Sequence, residues 1–205
     1  DLSDSNNYKE VSEVIDLDSL IEHYATGLFL AIYDWPNHNY GFWRSKGNKV
    51  EGNLFSDGKW RVMTYDLDYT MGKTYADFGG VEGYAYDMFQ HMNRVKNSVP
   101  TNLFCALLKN KEFKEKFVNV FKEYVNKIMT KDIANSFISD YTNNLTEMIA
   151  NSQTRWWGYF GGTKMETFAY AKNEYLSNTL PQIKKFFEER SKYAIEDMEQ
   201  YLGQY

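Results

Sequence analysis

The chain has 205 residues and a formal net charge of −5, and 43% of its residues are hydrophobic. That apolar share supports a sizeable core and argues against disorder, while the acidic balance disfavours a nucleic-acid partner, which a basic surface would serve. The single cysteine, Cys105, rules out an intrachain disulfide. It lies in the apolar run "NLFCALL" and reads as a buried core thiol. The longest largely apolar run, "LFLAIY", is far below the roughly 18 to 20 residues that span a bilayer, so no transmembrane helix is expected.

Residues 1–15, "DLSDSNNYKEVSEVI", are polar without a clear period and read as a lead-in segment. The chain starts at Asp1 with no methionine, which suggests a processed or excised piece of a longer protein. "DLDSLIEHYATGLFLA" then predicts a helix. Asp16 or Asp18 can cap it by accepting from the free N–H groups of the first turn. Leu20, Ile21, Tyr24 and Leu28 share one face, and Pro36 blocks continuation. Two strand candidates follow, "NYGFWRS" and "KWRVMTYD", rich in aromatic and β-branched residues. The Gly-, Asn- and Asp-rich "KGNKVEGNLFSDG" between them reads as a hairpin connection. "DLDYTMGKTYADFGGVEGY" reads as loop.

After about residue 85 the pattern turns helical. Phe113, Phe117, Val120, Phe121, Tyr124 and Ile128 recur at helical spacing. "DIANSFISDYTNNLTEMIA" predicts another helix with Asp132 as its cap. "NTLPQIKKFFEERSKYAIEDMEQYL" predicts a third with Pro181 in the first turn. The expected fold is mainly α with a short β-hairpin, in a single domain. The hairpin and the loop before it occupy 16–72, and a helical bundle occupies 85–205.

The candidate chemistry lies where the first predicted helix ends. Asp34 is followed at +5 by Asn39, then by the hairpin, then by Asp66. Phosphoryl transfer needs a carboxylate that orients the attacking hydroxyl and accepts its proton. It also needs an amide oxygen and a second carboxylate to hold the metal that bridges the phosphates. Protein kinases place these groups in that order, as D-x-x-x-x-N, a short hairpin and an aspartate after its second strand. The spacing is equally met by residues that only make turn hydrogen bonds; the helix before and hairpin after favour the kinase pattern.

Four segments in order, "IDLDSLIEHYATGLFLAIYDWPNHNYGFW", "KWRVMTYDLDYTMG", "NLFCALLKNKEFKEKFVNVFKEYVNKIM" and "LPQIKKFFEERSKYAIEDM", resemble the spore-coat-protein-H (CotH) family of atypical, kinase-like proteins. The resemblance covers most of residues 8–202. It implies the C-terminal, helical lobe of a kinase-like fold and ATP-dependent phosphorylation of protein Ser/Thr with Mg²⁺ or Mn²⁺. Carried over by position, Asp34 is the catalytic aspartate. Asn39 and Asp66 bind the nucleotide's metal, with Asp66 the principal ligand. Asp68, one strand period further on, is a secondary ligand. The implied partner is a protein substrate with a Ser/Thr acceptor, in a spore coat or at an exported or cell-surface location. The departure is upstream: no G-x-G-x-x-G and no V-A-I-K-like strand precedes the helix. The expectation is a chain without the nucleotide-covering lobe, a poor catalyst by itself.

Other readings are set beside this one. A structural, partner-binding module of a coat or surface assembly would keep the residues without the activity. Aminoglycoside-type small-molecule kinases share the D-x-x-x-x-N arrangement. "VMTYDLDYTMG" fits the D-x-D-x-T start of haloacid-dehalogenase-like phosphatases, but the expected helices after residue 85 leave no room for their parallel sheet. The literal D-F-G in "ADFGG", Asp77 to Gly79, has no strand before it and reads as a turn. "RWWGYFGG" reads as core packing rather than a substrate platform. His23, His38 and His91 have no metal-ligand spacing, so zinc is unsupported.

Overall fold

A computed structural model of the chain describes residues 1–72, 81–95, 98–156 and 163–203, the side chains of 141 and 143 excepted. The first element corrects the lead-in reading, because Ser5–Val14 is a helix, α1. The Asp4 carboxylate accepts from Asn6 and Asn7 N–H and so satisfies the free donors of the first turn. No α1 residue is fully buried, but Tyr8 and Val11 pack against the core from its edge. A helix held by a cap and a few edge contacts carries little apolar period.

Helix α2, Leu17–Leu30, is the central element. Asp16 caps it by accepting from Asp18 and Ser19 N–H. The predicted face is buried, and so are His23, Ala25, Gly27, Phe29 and Leu30. A helix apolar on nearly every side is a core helix. It ends at Ala31, which takes a left-handed conformation with φ 52° and donates to Gly27 O.

Strands β1, Tyr40–Trp43, and β2, Arg61–Thr64, pair antiparallel with Tyr40 opposite Thr64 and Trp43 opposite Arg61. Both are shorter than the sequence segments suggested. Asp16 pins this hairpin to α2 as well as capping the helix: its carboxylate meets Arg61 Nε at 2.9 Å. The Arg61 guanidinium also forms two bonds to Asp57 at 2.8 and 2.9 Å, which holds the Asp57 carboxyl down at about 2.

The helical remainder comprises α3 (Met88–Arg94), α4 (Val99–Leu107), α5 (Lys111–Glu123), α6 (Lys131–Thr154), α7 (Lys164–Glu174) and α8 (Leu180–Leu202). A π-helical turn, Tyr175–Thr179, runs α7 into α8, with a proline in the first turn of α8 as expected. Thr130 rather than Asp132 caps α6, its hydroxyl accepting from Ile133 N–H. Helices α3, α5 and α8 pack around α2. Phe89, Phe104, Phe113, Phe117, Phe121 and Phe186 fill the space between them. Cys105 is half-buried at the edge, its Sγ 3.8 Å from Tyr201 Oη, rather than a fully buried core thiol.

Candidate active site

The chain leaves α2 at Ala31 and reaches Asp34 within one turn. Two backbone bonds then stitch this turn to the segment after β2. Tyr33 N–H donates to Tyr69 O at 2.9 Å, and Met71 N–H donates to Leu30 O at 2.8 Å. The Asp34 charge thereby reaches Asp66, although the two are 32 positions apart in sequence. Because β2 ends at Thr64, Asp66 and Asp68 stand on a turn and not in a strand. The strand-period argument for Asp68 is corrected accordingly: the turn brings it to Asp66, and the two carboxyls share a hydrogen bond.

Asn39 Nδ2 donates to Asp34 Oδ2 at 2.6 Å. A carboxylate accepts only, so the amide must present its nitrogen here, and its oxygen is the atom left for a cation. Asp34 Oδ1 is buried and has no hydrogen-bond partner among the described residues. Buried carboxylate oxygens are ordinarily satisfied, so an orphan one marks a place where another group belongs. Asn39 and Asp66 both take left-handed backbone conformations, φ 56° and 58°. Asn and Asp tolerate that region best among residues with a Cβ. Ala31 and Met71, φ 52° each, complete the non-glycine residues with positive φ among those described. All four border this one site, and strain of this kind gathers at functional sites.

The Asp66 carboxyl is held above its ordinary range. The largest cause is its hydrogen bond with Asp68, followed by the charge of Asp68, desolvation and the charge of Asp34. Asp68 and Asp34 thus both act on Asp66.

The loop behind Asp34 is held from three sides. Trp35, 1% exposed, donates its indole N–H to His23 Nε2 at 2.9 Å. Its carbonyl accepts from His91 Nε2 at 3.1 Å. Pro36 O accepts from Ser98 Oγ at 3.1 Å. His23 and His91 therefore serve as neutral scaffold groups, and burial lowers the pKa of both, that of His23 to about 4. His38, inside the loop, is exposed.

The end of α2 is fixed by Arg190 on α8, which is fully buried. Its Nε and Nη2 donate to Phe29 O and Leu28 O at 3.0 and 2.8 Å, and its Nη1 donates to Tyr84 O and Tyr86 O. The last carbonyls of a helix need such donors, and a cation suits that end of the helix dipole.

A model of the CotH kinase protein family matches residues 1–194. The chain belongs to the CotH kinase family. The resemblance read from four sequence segments is thereby borne out. No curated protein and no solved structure matches the chain. A CotH-family chain brings an expectation of ATP and a divalent cation. Among the described residues, no group of three or more His, Cys, Asp or Glu side chains is placed to hold a metal ion. A kinase-type Mg²⁺ site does not need one, since one or two carboxylates serve with phosphate oxygens and water. The Asp66–Asp68 pair and the Asn39 amide oxygen fit that demand.

The described strands form one two-stranded antiparallel sheet with no βαβ unit among the described residues, which sets aside the phosphatase reading of D-x-D-x-T. A groove of about 740 Å³ lies at the far end of the hairpin, against Asp16, Trp43, Phe55, Arg61 and Lys116, and touches none of the four candidate residues. Asp77 of "ADFGG" and residues 157–162 of "RWWGYFGG" lie outside the described residues. No described helix is long and apolar enough to cross a membrane.

Proposed function

We propose that this chain supplies the acid–base and metal-holding residues of an atypical Ser/Thr protein kinase, moving the γ-phosphate of ATP to a protein hydroxyl. The observation that carries the reading is the Asp34–Asn39 pair. One carboxylate oxygen is fixed at 2.6 Å and the other is buried without a partner among the described residues. A carboxylate held in this way has one direction left in which to accept a hydroxyl proton.

Asp34 orients the acceptor hydroxyl and takes its proton. Asp66, with Asp68 and the Asn39 amide oxygen, holds the divalent cation near Asp34. When bound, Mg²⁺ or Mn²⁺ supplies the positive charge that offsets the charge of the phosphates. Residues 16–72 form this catalytic unit and 85–205 its helical support. The substrates belonging to this reading are coat or surface proteins.

A second reading is a non-catalytic, partner-binding module that keeps these residues without the activity. Phosphate transfer from labelled ATP with Mg²⁺ or Mn²⁺ separates the two. The chain and the longest natural protein containing it are each offered protein and aminoglycoside acceptors. Label on protein Ser or Thr, lowered by about 10²-fold or more in Asp34→Ala and Asp66→Ala, supports the kinase. Label on the aminoglycoside alone makes it a small-molecule kinase. No labelling and no nucleotide binding with either metal leaves the partner-binding module.

A further inference from the structure

His23 is 3% exposed, and its two ring nitrogens bind different parts of the site. Trp35 Nε1 donates to Nε2 at 2.9 Å. Nε2 is therefore unprotonated, and the ring proton sits on Nδ1. Nδ1 in turn donates to Thr64 Oγ1 at 2.8 Å. Trp35 directly follows Asp34. Thr64 is the last residue of β2 and stands two before Asp66. One imidazole on a rigid core helix thus touches both chain segments that carry the candidate chemistry.

The indole cannot drift away from this ring. A Cβ on Gly27 would lie 2.9 Å from Trp35 Cε2, so the helix backbone closes one side. His23 meets the indole edge-on with ring centroids 5.7 Å apart. Burial lowers the His23 pKa to about 4, so the neutral ring, with one donor and one acceptor, persists near neutral pH.

We propose that His23 is a positioning residue that sets the separation of Asp34 from the Asp66–Asp68 pair by holding Trp35 and Thr64 at once. Its catalytic consequence rests on the kinase reading of the site. A residue of the same bulk without nitrogens would fill the space, but it would leave the indole N–H unpaired in the interior and Thr64 untethered. Group transfer is sensitive to such a change, because a misplacement of about 1 Å costs on the order of 10²-fold in rate.

The test compares His23→Phe, which keeps a ring and loses both bonds, with His23→Gln, which keeps a donor and an acceptor. Hydrogen exchange of the whole chain reads residues 34–39 and 64–68 separately. His23→Phe should speed exchange in both segments together, with His23→Gln in between. In the phosphate-transfer assay, His23→Phe should lower kcat by about 10- to 100-fold, leave the KM for ATP within about twofold, and be partly rescued by His23→Gln. If His23→Phe does not fold, Thr64→Val removes the hairpin-side bond alone and should still speed exchange at 64–68 and lower kcat. A folded His23→Phe chain that exchanges like the parent in both segments overturns the proposal. So does an unchanged kcat in an active enzyme. A parent that transfers no phosphate and binds no Mn²⁺ defeats the kinase reading instead, and exchange then decides whether His23 couples the two segments.

Discussion

At the scale of the residue, Asp66 has the chemistry that asks for a cation. Two carboxyls that share a hydrogen bond resist ionising together, and Asp34 adds its charge to the same place. Because the folded-state pKa of Asp66 is raised, its favourable contribution to stability is complete at low pH and is lost as pH rises through that pKa. A divalent cation removes the same repulsion and must displace the proton. Mn²⁺ affinity should therefore fall as pH drops through the carboxylate range, with protons released on binding. Calorimetry in buffers of different ionisation heat measures that release. Asp68→Asn should reduce the proton release and weaken the binding. An unchanged release would show that the cation sits elsewhere.

At the scale of the element, α2 decides where the loop begins. Gly27 is needed because the Trp35 ring lies against the helix backbone, and the hydrogen bond to His23 keeps the ring there. Gly27→Ala gains about 1 kcal/mol of helix propensity but overpacks a pinned indole, which costs about 1 to 3 kcal/mol. The expected net result is a destabilised chain, seen as a lower midpoint in thermal denaturation, with slower phosphate transfer from a displaced Asp34. A Gly27→Ala chain at least as stable as the parent would mean that Trp35 can yield. Much of α2 was legible in sequence, since its cap, its apolar face and its end before Pro36 are local signals. Helix α1 was not legible, because polar residues with few buried neighbours carry no period and only Asp4 marks its start.

At the scale of the whole molecule, the last helix returns to the first core helix. Arg190 on α8 binds carbonyls of residues up to 162 positions away, and burial brings its pKa down to about 10. Asp197, about two turns further along the same face of α8, lies 3.9 Å from that guanidinium. Burial first, and then Asp87, push the Asp197 carboxyl up to about 7, against the pull of Arg190, while Glu196 adds to the rise. An unfolded aspartate titrates near 3.8. The folded chain therefore keeps a proton that the unfolded chain has released between those values, and this stabilising contribution is lost as pH rises through about 7. Urea denaturation across a pH series should show stability falling over that window. Asp197→Asn, which has nothing to titrate, should flatten the slope. An unchanged slope would place the titration on another group.

Some of this architecture is written locally. Helical spacing of apolar residues, caps such as Asp16, and the order Asp34, Asn39, hairpin, Asp66 all involve neighbours in sequence. They determined a mainly helical fold with one hairpin, membership in the CotH kinase family and the identity of the candidate site residues. Tertiary structure alone decided the rest. That the Asp34 charge reaches Asp66 follows from the Tyr33–Tyr69 and Met71–Leu30 backbone bonds. That His23 is a scaffold group follows from partners 12 and 41 residues away. A lone histidine or arginine in a helical sequence looks the same whether it faces water or the interior. Only packing brings a distant carbonyl, indole or hydroxyl within hydrogen-bonding reach, and removal from water makes leaving such a group unpaired costly.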